Sequence, residues 1–284
     1  MDKQKYLKYK TKYVKTKILE NKNNNVQIIL FGNVMTDQLE WERDYNKFVS
    51  ELKKIGKVII LKPNYVNFLS YSKKSNNKPN ENINFTIEDL QFENYAKWIK
   101  TQIDKKLDYI AICLDQGCHF AKFFCNKYSK KCIRLYILVD RIFTKENYHD
   151  TFYSEMNYNF IKNIVGDDYE KYLIKNLTNE TINDLLNKIT TLQDNENYIQ
   201  LLNGLCKGII RSQYDKIQKM DVKTIIYSDI NVLTKEKLKL NITFNEKSNN
   251  KIIYYYVNPD THYLIHSKKF SDEIINNIYG LLFK

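Results

Sequence analysis

No run of apolar residues in this chain approaches the ~20 needed to cross a bilayer as a helix, and the first residues carry Lys and Tyr where a secretory signal would need an unbroken apolar stretch. The expectation is therefore a soluble, intracellular protein with no membrane partner. Five cysteines (Cys113, Cys118, Cys125, Cys132 and Cys206) form no CxxC pair and no zinc-type spacing. That argues for a reducing compartment and against a metal site, and nothing in the sequence calls for another cofactor. Four of the five fall within one short segment, where they read as small buried apolar residues. No internal repeat is present, and between about Arg141 and Met220 there is no strand-like run.

What is abundant is lysine. Lys plus Arg number 45 against 33 Asp plus Glu, for a formal charge of +12 over 284 residues. The excess comes with a surplus of Asn, Ile and Tyr, the residues an AT-rich genome encodes by default, so mutational bias accounts for the basicity and nucleic acid is not the expected partner. The clearest clustering is KQKYLKYKTKYVKTK, Lys3 to Lys17, a basic tail or docking helix. This opening resembles the KYLKYK-type N-termini found on many proteins of mimivirus-like giant viruses.

Beyond residues 1–25, strand-like runs occur at VQIILFG (26–32), KVIILK (57–62), YIAICL (109–114), CIRLYILVD (132–140), VKTIIYSD (222–229) and KIIYYYV (251–257). Continuous apolar runs of this length are what strands covered on both faces look like. Helical spacing separates them. Leu39, Trp41, Tyr45, Phe48, Val49 and Leu52 mark one helix, with Gly56 placed to end it. A second helix is expected from about Thr86 to Asp104, and an amphipathic third after residue 117. Ser271 is placed to cap the last. Residues 64–85, rich in Ser, Asn and Lys, read as a surface loop. The pattern predicts an α/β fold with a mainly parallel sheet flanked by helices. Its core comprises 26–140 and 221–284, and 141–220 is a helical insertion.

The most informative segment is YIAICLDQGCHFAKFF. A buried strand runs into a turn in which Asp115 stands between Cys113 and Gly117, the small-x-nucleophile-x-small spacing of a strand-to-helix elbow. Any parallel α/β unit shares much of this pattern, so on the residues alone both readings stand.

The order of elements, with an elbow after the third strand, a helical insertion after the fourth and a late His after the last, resembles the α/β-hydrolase superfamily over residues 26–284. Three local matches carry the resemblance. LFGNVMTDQLEW looks like the oxyanion loop, with Phe31 in place of the usual His and Gly32 kept. ICLDQGCHFAKFFCNKY looks like the elbow, with Asp115 in place of Ser. PDTHYLIHSKKFSDEIINNI looks like the C-terminal loop, with His262 on the catalytic His.

An Asp at the apex is similar to the haloalkane dehalogenase and epoxide hydrolase branch. The resemblance then implies that Asp115 attacks an electrophilic carbon and that a water activated by His262 hydrolyses the ester, with no cofactor. It also implies a helical cap, residues 141–220, over the site. The best positional match for the third acid is Asn231, which cannot carry charge, with Asp229 two residues earlier and Asp140 at the end of the preceding strand as substitutes. Asn33 matches a halide-contacting Asn, whereas Gln116 stands where that branch has a Trp. Two functions remain open: hydrolysis of a small apolar electrophile, or an inactive α/β-hydrolase fold serving as a binding module for a protein partner.

Overall fold

The computed structural model describes residues 26–32, 41, 45–61, 91–114, 117–138, 162–163, 165–172, 178–181, 183–184, 210, 212–258, 265 and 267–282. Six strands form one sheet: β1 (Val26–Phe31), β2 (Lys57–Ile60), β3 (Asp108–Leu114), β4 (Cys132–Leu138), β5 (Thr224–Asp229) and β6 (Ile252–Val257). Their order is β2-β1-β3-β4-β5-β6, and every neighbouring pair is parallel. The apolar runs seen in the sequence are these strands, trimmed by a residue or two at some ends.

Alternation along each strand feeds two separate cores. Ile29, Phe31, Ala111, Cys113, Leu135 and Ile137 face one. Ile28, Leu30, Ile110, Ile112, Tyr136 and Tyr227 face the other. Because both sets are buried, the run reads as continuously apolar.

Which helix covers which face follows from handedness. The chain moves from β1 to β2 in one direction, then returns across β1 to reach β3 and continues that way to β6. Right-handed crossovers require a change of face when the direction reverses. Accordingly α1 (Asn46–Ile55) packs Phe48, Val49, Leu52 and Ile55 on one face. On the other, α2 (Phe92–Gln102) packs Phe92, Tyr95, Ala96 and Ile99, and α3 (Gly117–Lys127) packs Phe120, Phe123 and Phe124. α4 (Lys235–Lys247) joins that second face through Phe244. α5 (Lys268–Leu282) makes no crossover and lies beside α1, burying Phe270, Ile274, Ile275 and Ile278.

Two local expectations need correcting, and a third holds. α3 is not amphipathic: everything from Gly117 to Cys125 is buried, His119 and Lys122 included, because the helix lies over β3 in the middle of the sheet with α2 and the 3₁₀ turn Tyr214–Ile217 packed against it. Ser271 does not cap α5. The helix starts three residues earlier, and the Ser271 hydroxyl donates to the Lys268 carbonyl within the first turn. Gly56 ends α1 as expected, its amide donating to the Leu52 carbonyl from an extended backbone. It is glycine because an added Cβ would lie 2.6 Å from the Val26 carbonyl oxygen.

The expected helix start at Thr86, the loop 64–85, the tail 1–25 and most of 141–220 lie outside the described residues. Those described within 141–220 contain no strand. Tyr172, Ile210, Ile217 and Met220 join the same core as α2 and α3, and the Gln213 side chain accepts a 2.7 Å hydrogen bond from the Phe92 amide at the start of α2.

Candidate functional site

In an open parallel sheet, ligands bind outside the carboxyl ends of the strands at the point where strand order reverses. Here that point lies between β1 and β3. Phe31 pairs with Cys113 at the ends of the two strands. β3 ends at Leu114 and α3 begins at Gly117, so only residues 115 and 116 separate strand from helix.

Gly117 touches the exit of β1 backbone to backbone. A Cβ built on it would lie 1.9 Å from the Gly32 carbonyl oxygen, 2.9 Å from the Gly32 carbonyl carbon and 3.1 Å from the Phe31 carbonyl oxygen. No side chain fits in that gap, and this is the physical reason for a small residue two places after 115. The first-turn amides of α3 belong to a helix N-terminus, which favours an anion or a developing oxyanion close by. The elbow segment and the Gly32 segment, expected from the sequence to share a site, therefore meet at the switch point.

Phe31 is 1 % exposed, and its ring packs toward Phe124 with centroids 6.1 Å apart. Standing where the resemblance puts a His, it is a core residue on the α3 side of the sheet. Asp115, Gln116, Asn33 and His262 lie outside the described residues, as does Asp140.

Asp229 is the last residue of β5, at the same carboxyl edge. Its Oδ1 accepts a 2.8 Å hydrogen bond from the Asn231 amide and so caps the 3₁₀ turn Ile230–Val232. Asn231 is exposed, and its side-chain amide donates at 2.9 Å to the Asn258 side-chain oxygen, tying the end of β5 to the end of β6. With strands about 4.8 Å apart, the ends of β3 and β5 stand roughly 10 Å from each other. An imidazole hydrogen-bonded on both sides can bridge such a gap.

Beneath the elbow lies a cluster that sequence periodicity did not mark. Burial, and secondarily the Lys122 cation, hold His119 well below its ordinary pKa. Lys122 is itself lowered by burial, although nearby Cys118 and Cys113 work the other way, and its ammonium sits 4.9 Å from the centre of the Phe244 ring. Cys113 is inaccessible, with its sulfur 3.4 Å from the Tyr136 carbonyl oxygen, and burial followed by the adjacent Cys118 thiol pushes its pKa well up. Neither Cys113 nor Cys118 is presented to the switch point as a nucleophile; both are packed inside. A lysine beside a histidine in a helix otherwise reads as solvent-facing. The one sequence signal for its burial is the company of three phenylalanines and two cysteines in nine residues.

Among the described residues no group of three His, Cys, Asp or Glu side chains could hold a metal ion, and no helix is long and apolar enough to cross a membrane.

No protein-family model and no curated protein matches the sequence. Solved structures do match in shape. MenH from S. aureus aligns with a TM-score of 0.51 at 13% identity over 92% of this chain and 95% of that one. DBJA aligns at 0.50 with 9% identity over 91% and 92%. MGS-M2, an α/β hydrolase enzyme from a Medee basin deep-sea metagenome library, aligns at 0.48 with 13% identity over 93% and 91%. Identities this low speak to fold alone. Together with the six-stranded order, the reversal between β1 and β3 and the glycine contact at that reversal, the likeness to MenH and DBJA shows that the chain has the α/β-hydrolase fold.

Proposed function

We propose that the protein is a hydrolase in which Asp115 is the nucleophile and His262 the base, acting on a small apolar electrophile of the epoxide or haloalkane type. The observation that carries this reading is the contact between Gly117 and Gly32. It sets the start of the buried helix α3 against the backbone of the β1 exit, and Asp115 precedes that helix by two residues in the sequence, which supports its role as the nucleophile. The Asp115 carboxylate attacks carbon and an alkyl ester forms as the C–halogen bond breaks and halide leaves or, with an epoxide, as the C–O bond breaks and the ring oxygen takes a proton from water. No proton need leave the nucleophile. His262 then takes a proton from water, which attacks the ester carbonyl and releases the acid and alcohol. Amides near Gly32 and at the start of α3 stabilise the oxyanion of this second step.

In the same reading Asp229 orients His262, residues 141–220 form a helical cap over the carboxyl edge, and Asn33 and Gln116 line the pocket. The protein works in the cytoplasm of a host cell or in a virion, as its N-terminal resemblance to giant-virus proteins suggests.

Intact-mass measurement after exposure to small epoxides and haloalkanes tests the mechanism. Asp115→Ala should abolish turnover. His262→Gln should accumulate one covalent adduct on Asp115 with a single burst of product, because only water attack needs the base. Turnover that survives in Asp115→Ala, or His262→Gln losing all reaction with no adduct, would refute it.

A second reading is favoured by one observation. The Asp229 Oδ1 is engaged in its own turn, and the neighbouring Asn231 is uncharged and bound to Asn258. If no acid orients His262, the fold is an inactive scaffold for a protein partner. A folded wild-type chain that neither turns over nor forms an adduct with any of these electrophiles would support that reading.

A further inference from the structure

Among the described residues, β6 is an edge strand of the sheet. Every large hydrophobic residue that is exposed among the described residues lies on β6, on α4 or in the turn after β5. α4 is inside out: it buries Asn241 and Ser248 beyond its end, while Leu238 and Ile242 are 40% and 52% exposed. Leu238, Ile242 and Asn245 form one stripe at i, i+4 and i+7. The Asn245 side-chain oxygen accepts a 3.0 Å hydrogen bond from the Ile252 amide, so this stripe borders that edge. On the opposite face of the sheet, Ile253 and Tyr255 of β6 are 48% and 37% exposed.

The backbone of β6 is equally suited to pairing. The Lys251 carbonyl accepts from the Thr224 amide of β5. In a parallel ladder alternate residues turn both polar groups to the same neighbour, so Ile253 and Tyr255 also serve β5, and the amides of Tyr254 and Tyr256 point away from it. Natural sheets guard such edges with lysine, proline or a bulge. Ile252–Val257 has none of these, and its register with β5 is unbroken.

We propose that this end of the sheet is the interface of a two-fold homodimer, with β6 pairing antiparallel to β6 of a second copy and α4 lying against α4. Charge placement selects a copy of the chain over another partner. Lys235 and Glu246, both exposed, stand eleven residues apart on the same side of α4, at opposite ends of the Leu238–Ile242 stripe. A two-fold axis through the middle of the helix makes the second α4 antiparallel and brings each Lys235 against the partner's Glu246. The Leu238–Ile242 stripe, flanked on the same side by exposed Lys239, thus meets its own copy with opposite charges at its two ends, as an isologous interface requires, and tyrosine is a favoured interface residue. A two-fold contact closes, so assembly stops at two.

Sedimentation velocity of the full chain at micromolar concentrations, with far-UV circular dichroism as a fold control, tests this. The wild type should sediment as a dimer and Ile242→Glu as a monomer with an unchanged spectrum. Lys235→Glu and Glu246→Lys should each weaken the dimer by about ten-fold through like-charge contact, and the double exchange should restore it. A wild-type monomer at tens of micromolar, growth beyond a dimer, or a double exchange no tighter than the single variants would overturn the proposal. The charge exchange decides the matter even if Ile242→Glu fails to fold.

Discussion

Replacing Gly117 by alanine tests the contact on which the site is built. The added methyl would stand 1.9 Å from the Gly32 carbonyl oxygen, whereas ordinary van der Waals contact begins at 3.4 Å. Relief therefore needs about 1.5 Å of separation. Neither side yields easily. The β1 exit is held in register with β3 through Phe31 and Cys113, and the first turns of α3 are buried throughout. Overpacking costs about 1–3 kcal/mol where side chains can shift, and here only backbone can, so a cost of ~3 kcal/mol is expected. Better helix propensity offsets at most ~1 kcal/mol of it. With a urea m-value of about 3 kcal/mol/M, the net loss lowers the unfolding midpoint by roughly 0.7–1 M. Fluorescence of Trp41, 1 % exposed, would follow the transition. Gly280→Ala is the control. Gly280 lies inside α5 with nothing within 4 Å of an added Cβ, so it should gain up to about 0.5 kcal/mol. Gly117→Ala unfolding at the wild-type midpoint, or proving milder than Gly280→Ala, would refute the close approach.

The sheet was legible because burial on both faces writes itself as unbroken apolar runs. VQIILF, IAICL and LYIL need no tertiary information to be read as central strands. The helices were harder wherever packing departs from a single apolar stripe. α3 carries His119 and Lys122 inside because helices and a 3₁₀ turn cover it from outside, and no local pattern encodes that second cover. α4 exposes Leu238 and Ile242 and buries Asn241, since its inward side meets the hydroxyl of Tyr256 through that asparagine. At the site, Gly117 was readable because its constraint is local, a small residue after a two-residue turn. The fate of Phe31 was not: whether an aromatic at a strand end faces a pocket or a core depends on its partner, here Phe124, 93 positions away.

Two further perturbations follow from buried polar groups. Gln27 is fully buried in β1 and clamps the backbone of Asp104, donating to its carbonyl at 2.7 Å and accepting from its amide at 3.0 Å. Gln27→Leu would leave both groups unsatisfied at a cost of about 2 kcal/mol, a fall in Tm of roughly 4–8 °C by calorimetry, and a change under 1 °C would count against the clamp. His119 predicts a pH dependence. Burial and Lys122 hold its folded-state pKa well below 6.5, so under acid conditions the unfolded chain takes up a proton that the folded chain refuses. The stability linked to neutral His119 is fully present above the unfolded value and is lost as pH falls below it, by about 1 kcal/mol over the first unit and ~1.4 kcal/mol per unit after that. Carboxylates add their own acid destabilisation, so the measurable quantity is the difference between wild type and His119→Phe. The variant's urea midpoint, whatever its value at pH 7.5, should fall less steeply between pH 6.5 and about 5. Parallel pH profiles for the two proteins would mean that His119 is charged in the fold, and that the core beneath the elbow accommodates an imidazolium beside Lys122.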